Sequence, residues 1–185
     1  MDLPTITSRI AALPKSSDDT PRAAVAAIFR QGDGGPEVLL IERAKREGDP
    51  WSGHMAFPGG RREESDATLV DTAIRETQEE VGVDLRAHEL LGTLADVPTH
   101  RTGLVVRALV FALRGDVNPR PRDEVADIVW APIGPMMRGE VSSTFEFLPD
   151  GFDMAITLPS FRIGERVVWG LTYRMLELLF QAIGG

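Results

Sequence analysis

From Ala23 to Phe29 the chain is apolar without a break, in a β-type run that extends to Arg30, and Glu37 to Arg43 is a second β-type run with an apolar centre at Val38–Ile41. Both read as β-strands, and Gly32-Asp33-Gly34-Gly35-Pro36 between them supplies hairpin turn chemistry. A long Gly- and Pro-rich loop is expected from Ala44 to Arg62. The pattern then changes period. Val70, Ile74, Thr77 and Val81 recur at i, i+4, i+7 and i+11, which predicts a helix with one apolar face. Ser65 or Asp66 is expected to cap its start and Gly82 to close its end. Further strands are predicted over Leu90–Val97, Leu104–Leu113 and Val125–Trp130, and a short helix over Pro132–Arg138. Residues 141–169 read as short β pieces broken at Pro149-Asp150-Gly151 and Ile163-Gly164-Glu165. An amphipathic helix from Leu171 to Ala182 ends the chain. Residues 1–22 read as a lead-in, with a short helix at Thr7–Leu13 and a polar linker at Lys15–Pro21, ahead of one domain over 23–185. A mixed sheet flanked by helices is the economical α/β architecture.

Composition narrows the function. The chain has 185 residues, 20 Lys and Arg against 28 Asp and Glu, and no cysteine. The net charge of −8 argues against a nucleic-acid clamp. The missing cysteines exclude disulfides, thiolate metal sites and cysteine nucleophiles. No apolar run exceeds seven residues, so no membrane span is expected, and no secretion signal is read at the start. These observations predict a cytoplasmic protein.

The acid is concentrated. Between Glu63 and Asp84 stand eight acids and one base, Arg75, so this stretch alone carries −7. Glu76, Glu79 and Glu80 fall within about 100° of arc, placed roughly opposite the apolar face. Like charges at that spacing destabilise a helix, and they sit in C-terminal turns where the backbone dipole favours cations. A bound divalent cation resolves both conflicts, and oxygen-only ligands point to magnesium or manganese. Arg75 lies four residues before Glu79 and can steer one carboxylate. Upstream, Phe57-Pro58-Gly59-Gly60 offers exposed carbonyls and close approach to phosphate.

Gly60 with Arg75-Glu76-Thr77-Gln78-Glu79-Glu80-Val81-Gly82-Val83 resembles the Nudix box, G-x5-E-x7-R-E-U-x-E-E-x-G-U, where U is aliphatic. Thr77 stands at a usually aliphatic position. One extra residue separates Gly60 from Arg75, and Asp66 stands near the place of the usual glutamate. This stretched form resembles the coenzyme A pyrophosphatase branch. Leu39-Leu40, Arg43, Gly53 and Phe57-Pro58-Gly59-Gly60 look like part of that branch's upstream signature, and Trp169-Gly170-Leu171-Thr172 is similar to its ending. The branch pattern has threonine where Ile41 stands and a second arginine where this chain has Gly48 or Asp49.

The resemblance implies a Nudix α/β/α sandwich and hydrolysis of a small-molecule diphosphate without nucleic-acid or membrane partners. It places Mg2+ or Mn2+ on Glu76, Glu79 and Glu80 with a Gly59 or Gly60 carbonyl, and it leaves a homodimer open. Arg75 and Glu124 join the catalytic set, Glu124 as an outside acid able to take a proton from water; Glu146, Asp150 and Asp153 are lesser alternatives. Arg43, Arg61 and Arg62 are candidates for phosphate contact, and Trp51 and Phe57 for stacking on adenine. Trp130 and Trp169 are expected in the core, Met136-Met137 in packing, and His54, His88 and His100 receive no role. Coenzyme A or a derivative is the leading substrate. ADP-ribose, nucleotide sugars or modified nucleoside triphosphates are the runner-up, and a non-catalytic nucleotide-binding protein ranks below them.

Overall fold

A computed structural model describes residues 2–13, 21–47, 52–99, 103–149, 151 and 153–184. The elements run α1 (Leu3–Ala11), β1 (Ala23–Gly32), β2 (Gly35–Arg43), β3 (Met55–Ala56), β4 (Gly59–Arg61), α2 (Leu69–Val81), β5 (Glu89–Thr93), β6 (Val97–Pro98), β7 (Val105–Ala112), β8 (Val125–Pro132), α3 (Ile133–Met137), β9 (Ser142–Phe147), β10 (Ile156–Ile163), β11 (Arg166–Trp169) and α4 (Gly170–Gly184). β1 and β7 pair in parallel at the centre of the main sheet. Around them β5, β6, β2, β4, β3 and β8 pair antiparallel, so the sheet is mixed. β9, β10 and β11 form a second, antiparallel sheet.

The unbroken apolar runs have a direct cause: both faces of the main sheet are covered. Along β1, Ala23, Ala27 and Phe29 enter the core shared with α1 and α4. The alternate residues Ala24, Ala26 and Ile28 enter the core beneath α2. β2 repeats this, with Val38 and Leu40 on one side and Leu39 and Ile41 on the other. The product is the α/β/α sandwich that the pattern and the resemblance implied.

Three expectations change. The Gly- and Pro-rich stretch contains β3, which pairs with β2, and β4, whose glycines have little strand propensity yet pair with β1. The first helix runs over Leu3–Ala11 rather than Thr7–Leu13, is capped by Asp2, and buries Ile6 and Ile10 fully in the main core. The start of α2 is Thr68, where Thr68 and Asp71 form a reciprocal capping box. Neither Ser65 nor Asp66 caps it. Gly82 does close it, at φ 73°.

Thr77 fills its aliphatic position with one mismatch: its Oγ1 is buried without a hydrogen-bond partner among the described residues. Thr77→Val removes that cost at nearly constant shape, so urea unfolding should show a gain of about 1 kcal/mol.

Candidate active site

Backbone pairing decides how the two glycines face α2. The Ala26 N–H donates to Pro58 O at 2.8 Å and the Arg62 N–H to Arg22 O at 2.9 Å. Bonded and non-bonded pairs alternate in an antiparallel ladder. Ala24/Gly60 is therefore a bonded pair and Val25/Gly59 a non-bonded one. Gly59 turns both its polar groups away from β1, and its N–H donates to Glu80 Oε2 at 2.9 Å. The Gly59 carbonyl points out on that same side, whereas Gly60's polar groups face the ladder. A side chain is excluded by rigid backbone at Gly59, and at Gly60 it would displace the Glu76 carboxylate. A Cβ on Gly59, at φ +149°, would lie 2.3 Å from Ala24 O; one on Gly60 would lie 2.4 Å from Glu76 Oε1.

Glu80 does not stand opposite the apolar face. It flanks that face and is only 5% exposed. Burial pushes its carboxyl up to about 8; the Gly59 N–H and Arg43 act against the rise, and Glu76 and Glu124 add to it. Burial also raises Glu76, against the pull of Arg75 and with the help of Glu79 and Glu124. Glu79 points outward, 3.3 Å from Arg75 Nη1. Among the described residues no three acidic or histidine groups are already drawn into a closed metal cage. The fit to a hard divalent cation lies in the crowding of half-buried Glu76 and buried Glu80, whose charge Arg75 and Arg43 offset only in part, beside an outward-facing carbonyl. Glu76, Glu80 and Gly59 O can hold such an ion, with Glu79 at its edge.

Arg75 is more committed than its spacing indicated. Its guanidinium bonds Asp66 twice, at 3.1 and 3.0 Å, and also reaches Glu76 Oε1 and Arg61 O, each at 3.0 Å. Asp66 is buried and further bonded by Thr72 Oγ1 and the Glu63 N–H. Hydrogen bonding from Arg75, against the opposing effect of burial, brings the Asp66 carboxyl down to about 2 from an ordinary 3.8. Its folded-state pKa is depressed, so its stabilisation is full above pH 4 and disappears as the pH falls through about 2. Asp66→Asn should cost about 2–3 kcal/mol at pH 7, because it leaves Arg75 half-paired. In urea titrations the gap to the wild type should stay flat above pH 4 and close towards pH 2.

Arg43 and Glu124 reach the site from neighbouring strand ends. Arg43 pairs with Val125, and the Ala44 N–H donates to Glu124 O at 2.9 Å. Both charges act on Glu80. Glu124 is also paired with Arg46 at 2.8 Å. Other expectations change. Phe57 is buried in the main core and presents no face to a base. The Arg62 guanidinium donates to Asp66 O and Ala67 O, so it braces the turn before α2 instead of waiting for phosphate. Arg61 is exposed, and its carbonyl receives Arg75. Glu146 accepts from Thr157 Oγ1 on the second sheet. Trp130 and Trp169 are half-buried rather than core; Arg30 lies over the Trp130 ring at 4.0 Å. Trp51, His100 and Asp150 lie outside the described residues.

The residue overlooked in sequence is Arg122. Its N–H donates to Glu80 O, the Arg120 N–H donates to Val81 O, and its guanidinium lies beside Gly82. A cation therefore already stands at the negative end of α2. Its signal was the cationic run Arg120-Pro121-Arg122, separated from Glu124 by Asp123 alone.

The NUDIX domain family profile matches residues 20–150. The chain belongs to the Nudix family. It is a pyrophosphatase-type hydrolase acting on small-molecule diphosphates, and Nudix hydrolases generally use divalent metal ions. It is 32% identical over 181 residues to human mitochondrial coenzyme A diphosphatase NUDT8, covering 96% of this chain and 73% of that protein. It is 40% identical over 157 residues to the uncharacterised Schizosaccharomyces pombe protein C14C4.10c; the match covers 79% of this chain and 47% of that longer protein. Among solved structures, a C. elegans Ap4A hydrolase binary complex superposes with a TM-score of 0.53 at 19% identity, over 63% of this chain and 84% of that one. That likeness concerns the Nudix fold. No helix among the described residues is long and apolar enough to cross a membrane.

Proposed function

We propose that this Nudix hydrolase cleaves the diphosphate of a nucleoside-linked compound, with coenzyme A or a derivative as substrate and Mg2+ or Mn2+ as cofactor. The observation that carries the site is Glu80, a buried carboxylate fixed by the Gly59 N–H among further acids. The similarity to human coenzyme A diphosphatase NUDT8, spanning nearly the whole chain, supports the substrate.

In this reading Glu76, Glu80 and the Gly59 carbonyl hold the cation, and Glu79 completes the set from the exposed side. When bound, the cation neutralises diphosphate charge and acidifies the attacking water. The chain's own residues do the rest. Arg75, locked by Asp66, orients Glu76. The Gly59 N–H fixes which Glu80 oxygen stays available. Glu124 accepts the proton of the attacking water, with Arg46 holding its carboxylate. Arg43, at the end of β2, meets a phosphate oxygen as the substrate enters.

The test is hydrolysis with 5 to 10 mM Mg2+ as a roughly saturating level, on coenzyme A, ADP-ribose, a nucleotide sugar and a nucleoside triphosphate, with products separated by chromatography. Coenzyme A should be cut at its diphosphate, and chelation of the metal should abolish the reaction. Faster cleavage of ADP-ribose or a nucleotide sugar would replace the substrate. No turnover of any compound would remove the reading.

A further inference from the structure

The nucleoside half needs a seat of its own: Phe57, one of the two rings expected to stack on it, is in the core, and the other, Trp51, lies outside the described residues. The second sheet supplies one. Cross-strand partners share a face. Trp169 pairs with Ser160, Ser160 with Ser143, Leu158 with Phe145 and Ile156 with Phe147. The Trp169 ring stacks on Phe145 at 4.4 Å between centroids and lies 5.0 Å from Phe147, and each ring is half-buried, unlike the residues of either core. On the same face Ser160 is 1% exposed, and its Oγ has no hydrogen-bond partner among the described residues. Rings with remaining open surface and an unmatched hydroxyl suit a heteroaromatic ligand better than an aliphatic one.

This face is tied to the candidate site. His54 meets the Trp169 ring edge-on at 4.8 Å. Thr172 Oγ1, at the start of α4, donates to Met55 O at 3.0 Å. His54 O accepts from the Arg43 N–H, and Arg43 acts on Glu80. His54 is five residues from Gly59, at most about 18 Å of extended chain.

We propose that Trp169, Phe145 and Phe147 form the seat for the aromatic base of the substrate's nucleoside half, with His54 at the edge nearest the glycine strand. This rests on the reading of the site as a hydrolase of nucleoside-linked diphosphates. The motif Trp169-Gly170-Leu171-Thr172 then serves a single purpose, in which Trp169 carries the base while Thr172 holds β3 in place beside it.

Calorimetry on the full chain with Mg2+ tests the seat without relying on turnover. The probes are adenosine 5′-monophosphate and ribose 5-phosphate, which share a sugar phosphate and differ in the base. The wild type should bind the nucleotide about tenfold more tightly, within the range for one base stacked on an aromatic ring. Trp169→Leu and Phe147→Leu should each remove most of that preference and leave ribose 5-phosphate unchanged. Phe147→Leu keeps the test intact if Trp169→Leu fails to fold. Equal binding of the two probes by the wild type, an unchanged preference in the variants, or equal weakening of both probes would overturn the proposal. So would sensitivity of pantetheine, in place of the nucleotide, to the two substitutions. Hydrolysis measured on the same wild-type sample separates the two claims. Turnover without base preference overturns the seat alone; absence of turnover overturns the hydrolase reading.

Discussion

Glu80→Gln should lower kcat by about a thousandfold while the protein stays folded. The two effects separate because Glu80 plays two parts. Its Oε2 accepts the Gly59 N–H, which a glutamine carbonyl oxygen can still do. Its charge, buried beside Glu76 and Glu124, serves the cation and costs stability in the cation's absence. The metal-free variant should therefore match the wild type or exceed it by up to about 1 kcal/mol in urea unfolding. With metal at about a hundred times its dissociation constant the wild type should gain about 2.7 kcal/mol, and the variant far less. Full turnover in the variant would remove Glu80 from the metal site.

The two glycines should fail in different ways when each is changed to alanine. At Gly59 the new Cβ meets backbone, 2.3 Å from Ala24 O and 2.5 Å from Val25 Cα, and φ is +149°. Nothing rigid there can yield, so strain and overpacking together should cost about 3–5 kcal/mol. At Gly60 the three atoms nearest the Cβ are those of the Glu76 carboxylate, which can swing aside. Gly60→Ala should unfold within about 1 kcal/mol of the wild type and yet lose most activity, because Glu76 has been displaced. Thermal unfolding and initial rates on the same preparations distinguish the two outcomes. Equal destabilisation by both substitutions would contradict the assigned orientations of β4.

The elements most legible in sequence were those with one strong period. The central helix, the two long strands and the terminal helix follow from apolar spacing, because burial on a single face or on both imposes it. The strand containing Gly59 and Gly60 was hidden, since the contact that requires glycine also removes the side chains from which strands are recognised. Asp66 looked like a cap because short acids usually serve as caps, but Thr68 lies closer to the first turn and Asp66 is held inward by Arg75. The gathering of Glu76 and Glu80 was legible from helical spacing. Their unequal burial was not, because the helix is rotated so that Glu80 lies against β4. Arg122 and the ring cluster around Trp169 depend on contacts between distant segments, which no local pattern reports.

A divalent cation bound between Glu76, Glu80 and the Gly59 carbonyl is the centre of this reading. Crystals soaked in Mn2+ test it most directly, through the anomalous signal of the metal. The expected result is a peak bonded to a carboxylate oxygen of Glu80, one of Glu76 and the Gly59 carbonyl oxygen, absent from Glu80→Gln crystals soaked alike. A manganese ion bound elsewhere, or an unchanged peak in the variant, would contradict it.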